Sequence, residues 1–118
     1  MKYLLDTDIC VYWLKKDDRI EQNVISVGLE NIAISFITLS ELYYGAHKSQ
    51  YIKENLAAIS LLTGKVSVID SNEQICARFG KLKVFLAKQV MIIDDADLFI
   101  AACALTTGAT LVTNNTRH

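Results

Sequence analysis

Four short apolar runs recur along this chain: KYLL at residues 2–5, IAISF at 32–36, VSVI at 66–69 and TLVT at 110–113. Each is short and almost uniformly apolar, and reads as a buried strand. The segments between them carry helical periodicity instead. DICVYWLKK (8–16) places Ile9, Tyr12 and Trp13 on one face and ends in two lysines, which suit the negative end of a helix. Residues 18–27 predict a second short helix that stops near Gly28. Thr38 and Glu41 have the spacing of a capping box and open a helix that continues through Tyr44. QYIKENLAAISLLT (50–63) is amphipathic and closed by Gly64. With Ser71 as its cap, a long helix runs to about Lys88, with Ile75, Phe79, Leu82 and Phe85 or Leu86 inward and Arg78, Lys81 and Lys83 on its polar side. Residues 95–107 predict the last helix, ended by Gly108. Short buried strands alternating with helices predict an α/β domain, a central parallel sheet of about four strands with helices on both faces.

Composition narrows the class. With 118 residues, 52% hydrophobic and 21% charged, the chain has the makeup of one well-packed domain, and no repeat, linker or low-complexity stretch divides it. No apolar run is long enough to span a membrane. At the N-terminus, Asp6 interrupts the apolar residues too early for a signal peptide. Cys10, Cys76 and Cys103 sit among apolar neighbours without metal-ligand spacing, so they read as small core residues of a reducing, cytoplasmic setting. His47 and His118 are too few and too far apart for a zinc site. A thiol enzyme and a zinc enzyme are both excluded.

The candidate chemistry is acidic. MIIDDADLFIAACA (91–104) puts Asp94, Asp95 and Asp97 into four positions at the start of a helix that is apolar nearly all round. Such a helix is buried, so its first turn opens at the sheet edge. In parallel sheets ligands bind beyond the carboxyl ends of the strands. Asp6 ends the first strand, Glu41 lies just after the second and Asn115 follows the last. Taken singly, each has a plain structural role: Asp6 caps a helix, Glu41 completes a capping box, and acids in a first turn complement the helix dipole. Three neighbouring carboxylates exceed what one half-charge of dipole accounts for. An all-oxygen cluster without His or Cys suits Mg²⁺ or Mn²⁺, which offset the repulsion and activate water.

The segments LLDTDICVYWLK, ISFITLSELYYGAHKS, DDADLFIAACA and LVTNNTRH resemble, in order and over essentially the whole chain, the motifs of PIN-domain ribonucleases, above all the VapC toxins of bacterial toxin–antitoxin pairs. The resemblance implies a single PIN-like domain over residues 1–118. It implies a Mg²⁺- or Mn²⁺-dependent endoribonuclease that acts on tRNA or other structured RNA. It further implies silencing by a VapB-type antitoxin, a homodimer and a toxin–antitoxin hetero-oligomer. The family's acids fall on Asp6, Glu41 and Asp97 as catalytic residues; Asp95 and Asn115 join them as metal ligands, with Asp8 and Thr113 in support. Three positions depart from the pattern. Asp8 stands where Asn is usual, Asn115 where many members carry Asp, and the sequence stops at His118, before the family's last short strand.

Charge is compatible with an RNA substrate. Twelve Lys and Arg face thirteen Asp and Glu, a formal charge of −1. With Asp6, Glu41, Asp95 and Asp97 set aside as metal-neutralised, nine acids face the same twelve bases. Lys15, Lys16, Arg19, Lys81, Lys83 and Arg117 are candidate RNA contacts, though no basic stripe stands out. Trp13, Tyr43, Tyr44 and Tyr51 suit an antitoxin groove or the core. Two other readings remain open on the residues: a haloacid-dehalogenase-like phosphatase using Asp6 in Asp6-Thr7-Asp8, and a non-catalytic receiver-like domain built around Asp70.

Overall fold

The computed structural model describes residues 2–113. Along them run β1 (Tyr3–Leu5), α1 (Thr7–Leu14), α2 (Asp18–Val27), a 3-10 turn (Leu29–Asn31), β2 (Ile32–Ser35), α3 (Phe36–His47), α4 (Ile52–Lys65), β3 (Ser67–Ile69), α5 (Glu73–Lys88), α6 (Asp95–Thr107) and β4 (Thr110–Val112). The strands form one sheet in the order β3-β2-β1-β4, and every pairing is parallel. Leu5 of β1 lies opposite Ile34 of β2 and Val112 of β4, while Ser35 lies opposite Ile69. The α/β expectation, with its four strands, is borne out.

Side-chain alternation along the two central strands splits the core into two layers. Leu5, Ile32 and Ile34 pack with Ile9 and Trp13 of α1, Val24 of α2, Leu42 of α3 and Ile59 of α4. Leu4 and Ala33 face the opposite way, onto Ile75 of α5 and Ile100, Ala102 and Cys103 of α6. Both faces of the sheet are covered, which is why its strands read as continuous apolar runs. Each fully buried aliphatic side chain here contributes about 1.5–3 kcal/mol relative to exposure. Phe79 of α5 stacks on Phe99 of α6 at 3.8 Å between ring centroids, locking the two helices together. Along α5 the inward position is Leu86, half-buried, rather than the exposed Phe85.

Several helix ends differ from expectation. α3 begins at Phe36, capped by Ser35, whose Oγ accepts from the Thr38 N–H at 3.1 Å. Thr38 is thus inside the helix, and the capping box with Glu41 is not formed. The cap of α5 is Asn72, not Ser71; its Oδ1 accepts from the Ile75 N–H at 2.9 Å. α4 runs through Gly64 to Lys65. Gly108 does close α6, in the left-handed conformation at φ 74° that glycine adopts without strain. Of the cysteines, Cys10 and Cys103 are core residues as expected, but Cys76 is exposed on the outer side of α5. Trp13 belongs to the core, its indole N–H donating to Glu21 at 2.8 Å. Tyr43, Tyr44 and Tyr51 are exposed.

Candidate active site

The carboxyl ends of β1, β2 and β4 bring the proposed acids to one edge. Asp6 leaves β1 with its N–H donating to the Val112 carbonyl at 3.0 Å, so the end of β4 is fixed beside it. Its Oδ1 accepts from the Ile9 N–H at 3.0 Å and caps α1. The plain role expected of Asp6 is therefore real, and it occupies only one carboxylate oxygen. Exposed Thr113 follows Val112 at the same edge. Glu41, half-buried in the second turn of α3, accepts at its Oε1 from the hydroxyl of Thr7 at the start of α1. Its capping role is replaced by a contact between two elements. Asp97 lies in the first turn of α6.

Electrostatics registers the convergence. The Asp97 carboxyl is pushed above the usual carboxylate range, first by partial desolvation and then by the negative charges of Asp94, Glu41, Asp6 and Asp8. Although the residue is open to solvent, four like charges face it from three helices and their caps. Asp94 is a participant the candidate set leaves out. It holds the N-cap position of α6 but makes no side-chain cap bond, so its carboxylate stays available. Asp95 is drawn the other way, toward α5, where Lys83 reaches its Oδ1 at 3.1 Å. Asn115 and Arg117 lie outside the described residues. Cys10, against the same edge, is no nucleophile: burial and the Asp6 charge push its thiol up to about 12.

The donor set fits a hard divalent cation. Among the described residues the ion pairs are Lys83–Asp95 and Arg19–Asp17, so no cation among them neutralises Asp6, Glu41 or Asp97. The helix dipoles of α1 and α6 supply only half-charges. Nor do the described residues close into a ready cage of three or more ligating side chains. The lack of a neutralising cation suits Mg²⁺, which would keep several of its waters and be held by one or two carboxylates together with substrate phosphate.

The family model for the PIN domain matches residues 3–118. The chain belongs to the PIN-domain family. Within it the likeness is to the VapC type. Ribonuclease VapC1 of Haemophilus influenzae strain R2866 is 42% identical over the whole of this chain, which spans 90% of that protein. The tRNA(fMet)-specific endonuclease VapC of Shigella flexneri is 34% identical, again over the whole chain and 89% of the relative. Among solved structures, VapBC2 from Rickettsia felis, bound to a DNA fragment from its promoter, superposes with a TM-score of 0.92 at 37% identity, covering 98% of this chain and 89% of that one. PIN-domain membership sets aside the phosphatase reading of Asp6. The receiver-like reading fails on topology as well, because Asp70 follows β3, an edge strand rather than a central one. No helix among the described residues is long and apolar enough to cross a membrane.

Proposed function

We propose that this PIN domain is an endoribonuclease toxin that hydrolyses phosphodiester bonds of tRNA or another structured RNA with Mg²⁺ or Mn²⁺, and that a VapB-type antitoxin neutralises it. The observation that carries the reading is the convergence of Asp6, Glu41 and Asp97 at one sheet edge, unneutralised by any described cation of the protein. Relatives of full-length similarity bear the names of ribonucleases, one of them specific for tRNA(fMet), and the Rickettsia neighbour is a VapBC complex.

Asp6, Glu41 and Asp97 are the residues that would hold the cation. Asp6 keeps its Oδ1 in the α1 cap and offers Oδ2. Bound there, a divalent ion lowers the pKa of water and stabilises charge on the phosphoryl oxygen. Glu41, its Oε1 engaged by Thr7, has Oε2 to accept the proton of the attacking water. Asp94 and Asp8 deepen the negative field around Asp97; Asn115 joins the proposed ligand set, and Asp95 would join it only by leaving its ion pair with Lys83. Being neutral, Asn115 coordinates only through its carbonyl oxygen, so a second cation binds weakly until RNA phosphate joins it. Beside Glu41 opens an apolar groove of about 290 Å³ lined by Val11, Leu14, Leu42, Ala46 and Ile59, suited to a short amphipathic segment of the antitoxin. A homodimer, and its hetero-oligomer with the antitoxin, complete the proposal.

The test uses the full chain freed of antitoxin, with total tRNA as substrate. Cleavage is expected with Mg²⁺ or Mn²⁺ and not in excess EDTA, and Asp6→Asn or Asp97→Asn lowers it by about 100-fold or more. Full activity in EDTA refutes the metal mechanism. Undiminished cleavage by Asp97→Asn removes that residue from the site.

A further inference from the structure

We propose that Thr38 and Ser35, neither of them in the acid cluster, are positioning residues that act through Thr7 to hold the Glu41 carboxylate in its working orientation. The inference rests on the reading of Glu41 above and deepens it.

Ser35 and Thr38 are the two buried polar residues of the described core, each with 0% exposure. A hydroxyl cut off from water needs partners inside the protein. Ser35 Oγ lies 3.5 Å from Thr38 Oγ1, the outer limit of a hydrogen bond. Thr38 Oγ1 lies 3.2 Å from Thr7 Oγ1, and Thr7 Oγ1 bonds Glu41 Oε1. Counting protons fixes the direction of this chain. Thr7 has a single hydroxyl proton, and ionised Glu41 can only accept. Thr7 therefore donates to Glu41 and must itself accept from Thr38, which in turn accepts from Ser35. Every donor in the series points toward the carboxylate.

The root of the series is held from two sides. Ser35 closes β2 in register with Ile69, and its Oγ is already pinned by the Thr38 N–H at 3.1 Å. Glu41 is by contrast a long side chain with several free torsions. Anchoring Oε1 through two buried hydroxyls fixes the direction of Oε2 before substrate arrives, which is pre-organisation supplied from behind the site.

The experiment compares Thr38→Val, Thr38→Ser, Glu41→Gln and the double variant Thr38→Val/Glu41→Gln in the full chain. Steady-state cleavage of total tRNA, Mn²⁺ affinity by calorimetry, and melting temperature are read for each. Thr38→Val is expected to lower kcat and Mn²⁺ affinity by roughly 10-fold or more, the usual effect of losing a group behind a metal ligand. KM for tRNA stays within about 2-fold, because the RNA-facing surface is untouched. Thr38→Ser restores both quantities to within about 3-fold of wild type. In the Glu41→Gln background Thr38→Val adds no further loss of Mn²⁺ affinity, as expected of two residues that act as one unit. A Thr38→Val protein with a lowered melting point but wild-type kcat and Mn²⁺ affinity overturns the proposal, leaving Thr38 a packing residue. Full additivity in the double variant also overturns it. If Glu41→Gln alone changes neither Mn²⁺ affinity nor cleavage, the assignment of Glu41 fails, and this inference fails with it.

Discussion

Neutralising Asp97 removes one carboxylate from a group of five and keeps the shape of the side chain. In EDTA, Asp97→Asn loses the favourable interaction of a first-turn acid with the α6 dipole, about 0.3–1 kcal/mol. Against this stands relief from Asp94, Glu41, Asp6 and Asp8, the charges that raise the Asp97 carboxyl in the fold. A like charge at ~8 Å costs about 0.5 kcal/mol at the dielectric of water, and salt reduces it further. Four such charges against one half-dipole leave a small net gain for the variant. The sign has a pH signature. A carboxyl raised on folding binds its proton more tightly in the native state, so wild-type stability falls as pH climbs from the ordinary carboxylate range through the folded pKa of Asp97, and then levels off. The advantage of Asp97→Asn is therefore absent in acid and grows as pH climbs through the folded pKa. Mg²⁺ is the larger lever: at a hundredfold excess over Kd it stabilises wild type by about 2.7 kcal/mol. At about 3–6 °C per kcal/mol for a domain of this size, that raises Tm by roughly 8–16 °C. Thermal melts of both proteins across pH, in EDTA and in Mg²⁺, read all of this. A wild type more stable than the variant in EDTA at neutral pH would refute the proposed repulsion. Equal Mg²⁺ shifts in the two proteins would show that Asp97 holds no metal.

Asp6 has two roles that substitution separates. Asp6→Asn keeps an acceptor for the Ile9 N–H, whereas Asp6→Ala loses the cap and is expected to unfold about 1 kcal/mol more easily than Asp6→Asn, by urea titration with both variants in EDTA. Equal midpoints would mean the cap contributes nothing. The thiols offer a check on packing: a maleimide or disulfide reagent at pH 8 should modify exposed Cys76 rapidly, and Cys10, whose thiol is pushed up to about 12, only on unfolding. Rapid loss of two or more thiols from the native protein would contradict the buried positions of Cys10 and Cys103.

Much of this architecture is written locally. Leu4 and Leu5 are both buried because helices cover both sides of β1, and an unbroken apolar run is the mark of that arrangement. Where α3 starts is not local. Ser35 and Thr38 are both good capping residues three positions apart, and the choice falls to Ser35 because β2 stays paired through it, opposite Ile69. The same limit hides the division of labour between Asp94 and Asp95. Adjacent carboxylates at a helix start are equivalent in sequence until Lys83, twelve residues away on α5, pulls one of them aside. Cys76 misleads for a related reason, since Ile75 beside it turns inward while Cys76 and Ala77 face solvent. The Thr7–Glu41 contact joins residues 34 apart and has no spacing signal at all. Position 115, marked by its place after the last strand and by the family's motif, lies outside the described residues.

The pairing of β1 with β4 sets when such a site can exist. Tyr3 lies opposite Thr110, and Asp6 is tied to Val112, so β1 waits until α1 to α6 have been synthesised before its outer neighbour arrives. Asp97 and α6 also emerge late, after α1 to α5 have been made. Contacts this distant in sequence close slowly, and a growing chain cannot close them at all. For a nuclease made beside the RNAs of the translation machinery, this topology delays assembly of the site: Asp6 and Glu41 stay without Asp97 until α6 has been delivered.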